Sequence, residues 1–215
     1  MKPKNFLISL LAIIVVAILP HSGIIPFPFA YTIPILLVVW FCLKYFGEDF
    51  SRIGFDLKLF NFKSVLVGSL VAILFFSFSQ LILFPALELF ISFDEVNVDL
   101  YNKLKGNTGF YIFILIMGWV VGGLYEEIVF HGFIFSRLEK MIPGKYATQF
   151  SYLCTSIIFG VYHIQLGGAD TINALIIGAG YLGLMLHYKR NLWYAIFCHG
   201  TYNTLAITSL YLGYL

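Results

Sequence analysis

The chain has 215 residues, of which 60% are hydrophobic and only 11% charged, with a formal net charge of +2. Soluble domains carry roughly 25% charged residues, and a domain this small cannot hide so much apolar surface from water. A soluble globular protein, a disordered chain and a disulfide scaffold are excluded, no nucleic-acid footprint is present, and an integral membrane protein is left.

A bilayer core of about 30 Å needs about 20 helical residues, and seven apolar runs approach or exceed that length. They cover Phe6–Pro20, about Pro28–Phe46, Ser64 to about Ser92, about Phe110–Phe135, about Ala147–Leu166, Thr171 to about Tyr188, and Leu192 to about Leu212. The first is short and follows Lys2 and Lys4, which also suits a signal peptide. Pro20-His21-Ser22-Gly23 offers no small-x-small cleavage site, so a retained helix is expected. The predicted fold is all-α, a polytopic membrane helix bundle of about seven spans. An eighth is left open by the long third run. Residues 1–215 read as a single membrane domain, and Gly47–Lys63, which mixes charge with large apolar residues, reads as a strip on the membrane surface.

Basic residues test the count. With the N-terminus cytoplasmic and the C-terminus outside, eleven of the thirteen Lys and Arg fall on the cytoplasmic side. Only Lys103 and Lys105 fall outside, beside Asp94, Glu95 and Asp99. This is the asymmetry of the positive-inside rule; the expected location is the plasma or inner membrane.

The three cysteines (Cys42, Cys154, Cys198) lie in apolar runs without a pairing pattern and read as buried hydrophobes. Gly178-Ala-Gly180-Tyr-Leu-Gly183 matches the dinucleotide fingerprint, but it follows no strand. Ala174 with Gly178, and Ala179 with Gly183, instead have the i, i+4 spacing of close helix packing in lipid. His187, beside Lys189 and Arg190, reads as an interface residue, His21 as a solvated loop residue, and Glu88 as an interfacial acid.

Ionisable residues inside spans are costly and mark function. Glu126 and Glu127 lie mid-run and point about 100° apart on a helix, so they serve different roles. Glu127 shares a face with His131, one turn on, and the two are expected to hydrogen-bond. Gly122 lies one turn above Glu126 and leaves room for water or substrate. Adjacent acids in low dielectric suit one of them to general-base work; packing by interhelical hydrogen bonds is the alternative. His163 alone reads as readily as a packing residue. His199 and Asn203, at i, i+4, can together stabilise an oxyanion or simply bond between helices. Depths counted from the cytoplasmic helix ends allow Glu126, His163 and His199 to share a pocket in the cytoplasmic half.

These residues resemble the CAAX protease and bacteriocin-processing (CPBP, or ABI) family. Its motif E-E-x-x-x-R corresponds to Glu126-Glu127-Ile-Val-Phe-His131, F-x-x-x-H to Phe159–His163, and H-x-x-x-N to His199–Asn203, all within residues 109–215. The resemblance implies an intramembrane protease, a hydrolase cutting a membrane protein or peptide near the cytoplasmic face. Glu126 and His163 would activate water, His199 and Asn203 would hold the oxyanion, and Glu127 would support, paired with the motif's third member. The family's metalloprotease label implies a second possibility, Zn²⁺ on Glu126, His163 and His199; no H-E-x-x-H is present, and the resemblance leans to water activation with no cofactor required. The expected partners are a membrane-associated substrate and the lipid bilayer. His131 stands where the family has arginine. Some relatives act in bacteriocin self-immunity or as scaffolds without catalysis, which is the alternative function.

Overall fold

The computed structural model describes residues 2–25, 27, 29–90 and 102–214. Ser92, Asp94, Glu95 and Asp99 lie outside the described residues. Among those described, seven long helices occupy the seven apolar runs: α1 (Pro3–Ile18), α2 (Thr32–Tyr45), α3 (Phe62–Glu88), α4 (Thr108–Met141), α5 (Ala147–Tyr162), α6 (Gly168–His187) and α7 (Leu192–Leu212). The fold is an all-α membrane helix bundle. Four stretches are long and apolar enough to cross a bilayer by length and composition: α1 with its following turn, α3, α4 and α6.

Local chemistry sets the helix ends. Pro3 starts α1 at a position where its missing N–H costs nothing. The Asn61, Asn107 and Asn191 side chains accept backbone N–H bonds at the starts of α3, α4 and α7. Pro85 cannot donate within α3, and its ring crowds the preceding turn, so the helix widens to π-type winding over Ser79–Leu83 and then continues. The third run is therefore one helix up to Glu88. In α4 the π-type winding extends over Gly118–Ile134, the stretch that carries both glutamates. From Val121 to Arg137 most of its residues are buried, so α4 is the central helix; α7 packs along it, and α3 packs on α7.

Small residues let the helices approach one another. A side chain at Gly68 on α3 would meet the Tyr194 carbonyl of α7 at 2.7 Å, and one at Gly178 on α6 would meet the Phe159 ring of α5 at 2.3 Å. Exposed apolar side chains such as Leu7, Leu11, Leu66, Leu70 and Leu74 face outward from α1 and α3, which suits lipid.

Polar contacts gather the basic loops at one end of the bundle. Glu48, after α2, accepts hydrogen bonds from Arg137 and, at 2.7 Å, from Lys140. Glu139 accepts two from Arg190 at 2.7 and 2.8 Å and one from Thr148. Its hydrogen bonds push the Arg190 guanidinium still further above its ordinary range. Lys4 lies over the Tyr45 ring, and Lys63 over Tyr188. The Gly47–Lys63 strip forms two short 3₁₀ turns, Phe50–Ile53 and Leu57–Leu59, capped by Asp49 and Asp56. It docks on the start of α7 through Leu192 N to Gly54 O at 3.1 Å and Trp193 Nε1 to Asp56 O at 2.8 Å, leaving Leu57, Phe60 and Phe62 outward. At the opposite end Thr108 and Tyr211 share a hydrogen bond, and the His21 ring sits edge-on to Tyr162.

Candidate active site

Helix α5 ends four residues sooner than its apolar run. His163 is its C-terminal cap, followed by a 3₁₀ turn at Ile164–Leu166 and a left-handed Gly167. The apolar run places His163 within the span; the structure corrects this, because the chain leaves helical geometry at His163 and tightens into the 3₁₀ turn that Gly167, at positive φ, closes. From the cap, His163 Nδ1 donates to the Phe159 carbonyl at 2.8 Å. Its Nε2 lies 3.7 Å from Glu126 Oε2.

His199 arrives from α7 in a matching way. Its Nδ1 donates to Glu127 Oε1 at 2.9 Å, its ring stacks on Tyr181 at a centroid distance of 4.7 Å, and its Nε2 lies 3.9 Å from the same Glu126 oxygen. Both imidazoles thus have Nδ1 occupied and turn Nε2 toward Glu126. Such partners fix tautomer and ring orientation. The gaps of 3.7 and 3.9 Å exceed a direct hydrogen bond and suit a water lying against all three groups.

Glu127 is fully buried and stands behind this group. Its second oxygen, Oε2, accepts from His131 Nδ1 at 2.6 Å, the bond expected from their i, i+4 spacing. One carboxylate therefore orients two imidazoles. His131 is also fully buried, lies against Phe159, and leaves Nε2 without a partner.

Asn203, one turn beyond His199, donates from Nδ2 to the Gly118 carbonyl at 2.9 Å. A side chain at Gly122 would meet that amide nitrogen at 2.2 Å and His199 Nε2 at 3.3 Å. The bare Cα of Gly122 is what lets α7 bring His199 and Asn203 against α4. Glu126, His163, His199 and Asn203 all line one cavity of about 560 Å³, while Glu127 and His131 lie outside its lining. Tyr181 and His21, which the sequence reading gave no role at the site, line it too. Their only sequence signal is a tyrosine within a small-residue stretch and a histidine after a proline.

The cavity occupies the half of the bundle away from the basic loops. Its rim is built from the α1–α2 and α5–α6 connections, through His21, Tyr31, Gln165 and Asp170. The expected pocket in the cytoplasmic half and the expected cytoplasmic N-terminus cannot both hold in this fold. Depths counted from helix ends assumed a pocket entered from the basic end, whereas His163 sits at the far end of α5.

Among the described residues, no group of three or more His, Cys, Asp or Glu has a geometry suited to a metal ion, so the metalloprotease reading has no structural support. Cys42, Cys154 and Cys198 are free thiols, and none lines the cavity.

No curated protein and no solved structure is detectably similar to the chain. Residues 108–205 match the family model described as type II CAAX prenyl endopeptidase Rce1-like. That stretch runs from the start of α4 through Asn203 and so contains all three motifs in their spatial cluster. With α4 to α7 matching as one block, residues 108–205 are similar to the Rce1-like CAAX prenyl endopeptidase family.

Proposed function

We propose that the protein is an intramembrane endopeptidase that hydrolyses a peptide bond of a membrane-associated protein or peptide with a water activated by Glu126 and His163. The observation that carries this reading is the convergence of His163 Nε2 and His199 Nε2 on one Glu126 oxygen inside a cavity. Ionisable groups from three helices meet there at a cost that packing alone does not require.

Each residue has a task. Glu126 removes a proton from water, and His163 Nε2 accepts the second water hydrogen, which orients the oxygen lone pair toward the scissile carbonyl. As the carbon–oxygen bond forms, the carbonyl electrons move onto its oxygen. Asn203 has a second Nδ2 hydrogen beyond the one given to Gly118 and offers it to that oxyanion. His199 donates from Nε2 when both its ring nitrogens carry protons, with the Glu127 carboxylate as counter-charge. On collapse the carbonyl re-forms, the C–N bond breaks, and the amine takes the proton held by Glu126.

Lining chemistry supports an internal bond as the target. The carboxyl groups on the cavity wall are Glu126 and Asp170, and no Lys or Arg is among its described lining residues. A free C-terminal carboxylate would find no lysine or arginine among those residues.

Glu126→Gln keeps the shape and removes the base. In membranes expressing the variant, turnover of a cleaved substrate should fall at least 100-fold, within the range typical of general-base loss, with protein level unchanged. Turnover retained by both Glu126→Gln and His163→Ala would overturn the protease reading in favour of a non-catalytic immunity or scaffold role.

A further inference from the structure

Two independent features fix a direction for the cavity. The first is charge. Lys2, Lys4, Lys44, Arg52, Lys58, Lys63, Arg137, Lys140, Lys145, Lys189 and Arg190 belong to segments at one end of the bundle. Hydrogen bonds or ring contacts tie those segments together: Glu48 to Arg137 and Lys140, Glu139 to Arg190, Lys4 to Tyr45, and Lys63 to Tyr188. The loops are short, the condition under which the excess of Lys and Arg sets orientation.

The second feature is access. None of the segments at the basic end contributes to the cavity wall. The rim comes from the α1–α2 and α5–α6 connections at the other end, where His21, Gln165, Leu166 and Asp170 are exposed and line the opening. Between the site and the basic end, α4 is closed by Phe130, Phe133, Ile134 and Phe135, all essentially without solvent exposure. Glu127 and His131 lie on the closed side of Glu126 and have no exposure either.

We infer that the cavity is entered from the non-cytoplasmic side of the membrane, so that its substrate is a polypeptide segment presented on that face. The side of entry rests on charge and cavity shape alone. The substrate class rests, in addition, on the protease reading. A chain terminus waiting in the cytoplasm would meet the Phe130–Phe135 plug. A segment exported across the membrane, or the outer part of a membrane protein, meets the open rim.

Thiol labelling tests this without needing turnover. Gln165→Cys places a thiol on the rim, Ala174→Cys places one on the wall about one turn deeper, and Lys58→Cys places one at the basic end. The wild-type chain, whose three cysteines lie off the cavity, provides the background. Intact cells receive a membrane-impermeant maleimide or, for Ala174→Cys, a small charged methanethiosulfonate; permeabilised cells receive the same reagents. The expected result is at least tenfold more labelling of Gln165→Cys than of Lys58→Cys in intact cells, equalised by permeabilisation, with Ala174→Cys also reacting from outside.

The reverse pattern, with Lys58→Cys labelled first, would overturn the inference and place the rim in the cytoplasm. So would an Ala174→Cys thiol that reacts only after permeabilisation, or not at all. Failure of the protease reading would look different: the labelling would be as expected, while Glu126→Gln would retain function.

Discussion

Glu127 is the residue on which the site's geometry turns, although it lies outside the cavity wall. Both of its oxygens accept from imidazole Nδ1 groups, His131 at 2.6 Å and His199 at 2.9 Å. An amide in its place offers one acceptor and one donor. Glu127→Gln should therefore force one histidine to change tautomer or lose its bond, and activity should drop while helix content holds. His131→Leu removes one donor and leaves Glu127 with His199 alone. That should cost about 1–3 kcal/mol, read as a lower melting temperature in detergent, with a smaller loss of turnover than Glu127→Gln shows. Equal turnover in His131→Leu and the wild type would mean that His131 has no part in holding the site. The bond to His131 was legible from i, i+4 spacing, because both residues lie on one helix. The bond to His199 was not, since it joins residues 72 apart in sequence and depends on how α7 seats against Gly122 and Gly123. At the same scale, activity should survive a strong chelator such as phenanthroline. Loss of turnover, restored by added Zn²⁺, would overturn water activation by Glu126 and His163 alone.

At the scale of elements, the helices were readable wherever apolar length decides, and their ends were not. The seven runs each hold one helix, because uninterrupted apolar sequence in lipid must satisfy its backbone internally. The end of α5 depends instead on Gly167 adopting a φ of 106°, and the wide winding of α4 depends on packing that no single-residue propensity encodes. Close approach was legible as small residues at i, i+4. Gly178 bears this out: its missing side chain is the space taken by the Phe159 ring. That ring also lies 5.0 Å from the His131 ring and 4.7 Å from that of His163, so the packing and the site share a component. Gly178→Ala should push Phe159 aside and cost about 1–3 kcal/mol, the usual range for overpacking. A thermal melt in detergent checks the stability, and turnover should fall as well because His163 bonds the Phe159 carbonyl. A variant as stable and active as the wild type would show that α5 and α6 can part without consequence.

For the whole molecule, the basic end serves as a collar. It ties α2 to α4 through Glu48, and α4 to α5 and the α6–α7 turn through Glu139. The charge asymmetry that the sequence displays is thus also a mechanical feature, which sequence alone could not reveal because the charged partners lie 51 to 92 residues apart. The two halves of the collar differ in environment. Arg137 is 1% exposed and lies over the rings of Phe46 and Phe133, with Glu48 as its carboxylate partner. The Arg190 side chain is about half exposed. Removing one member of a buried pair strands the other charge at a cost of about 3–5 kcal/mol, whereas an exposed pair contributes about 0–1 kcal/mol. Glu48→Ala should therefore destabilise the protein several times more than Arg190→Ala, read as the difference in melting temperature in one detergent. Glu48→Ala with Arg137→Met should recover part of the loss, because an apolar side chain of similar length needs no counter-charge. If the two single variants melt together, Arg137 reaches solvent or lipid headgroups by another route, and the collar holds the helix ends by packing rather than by charge.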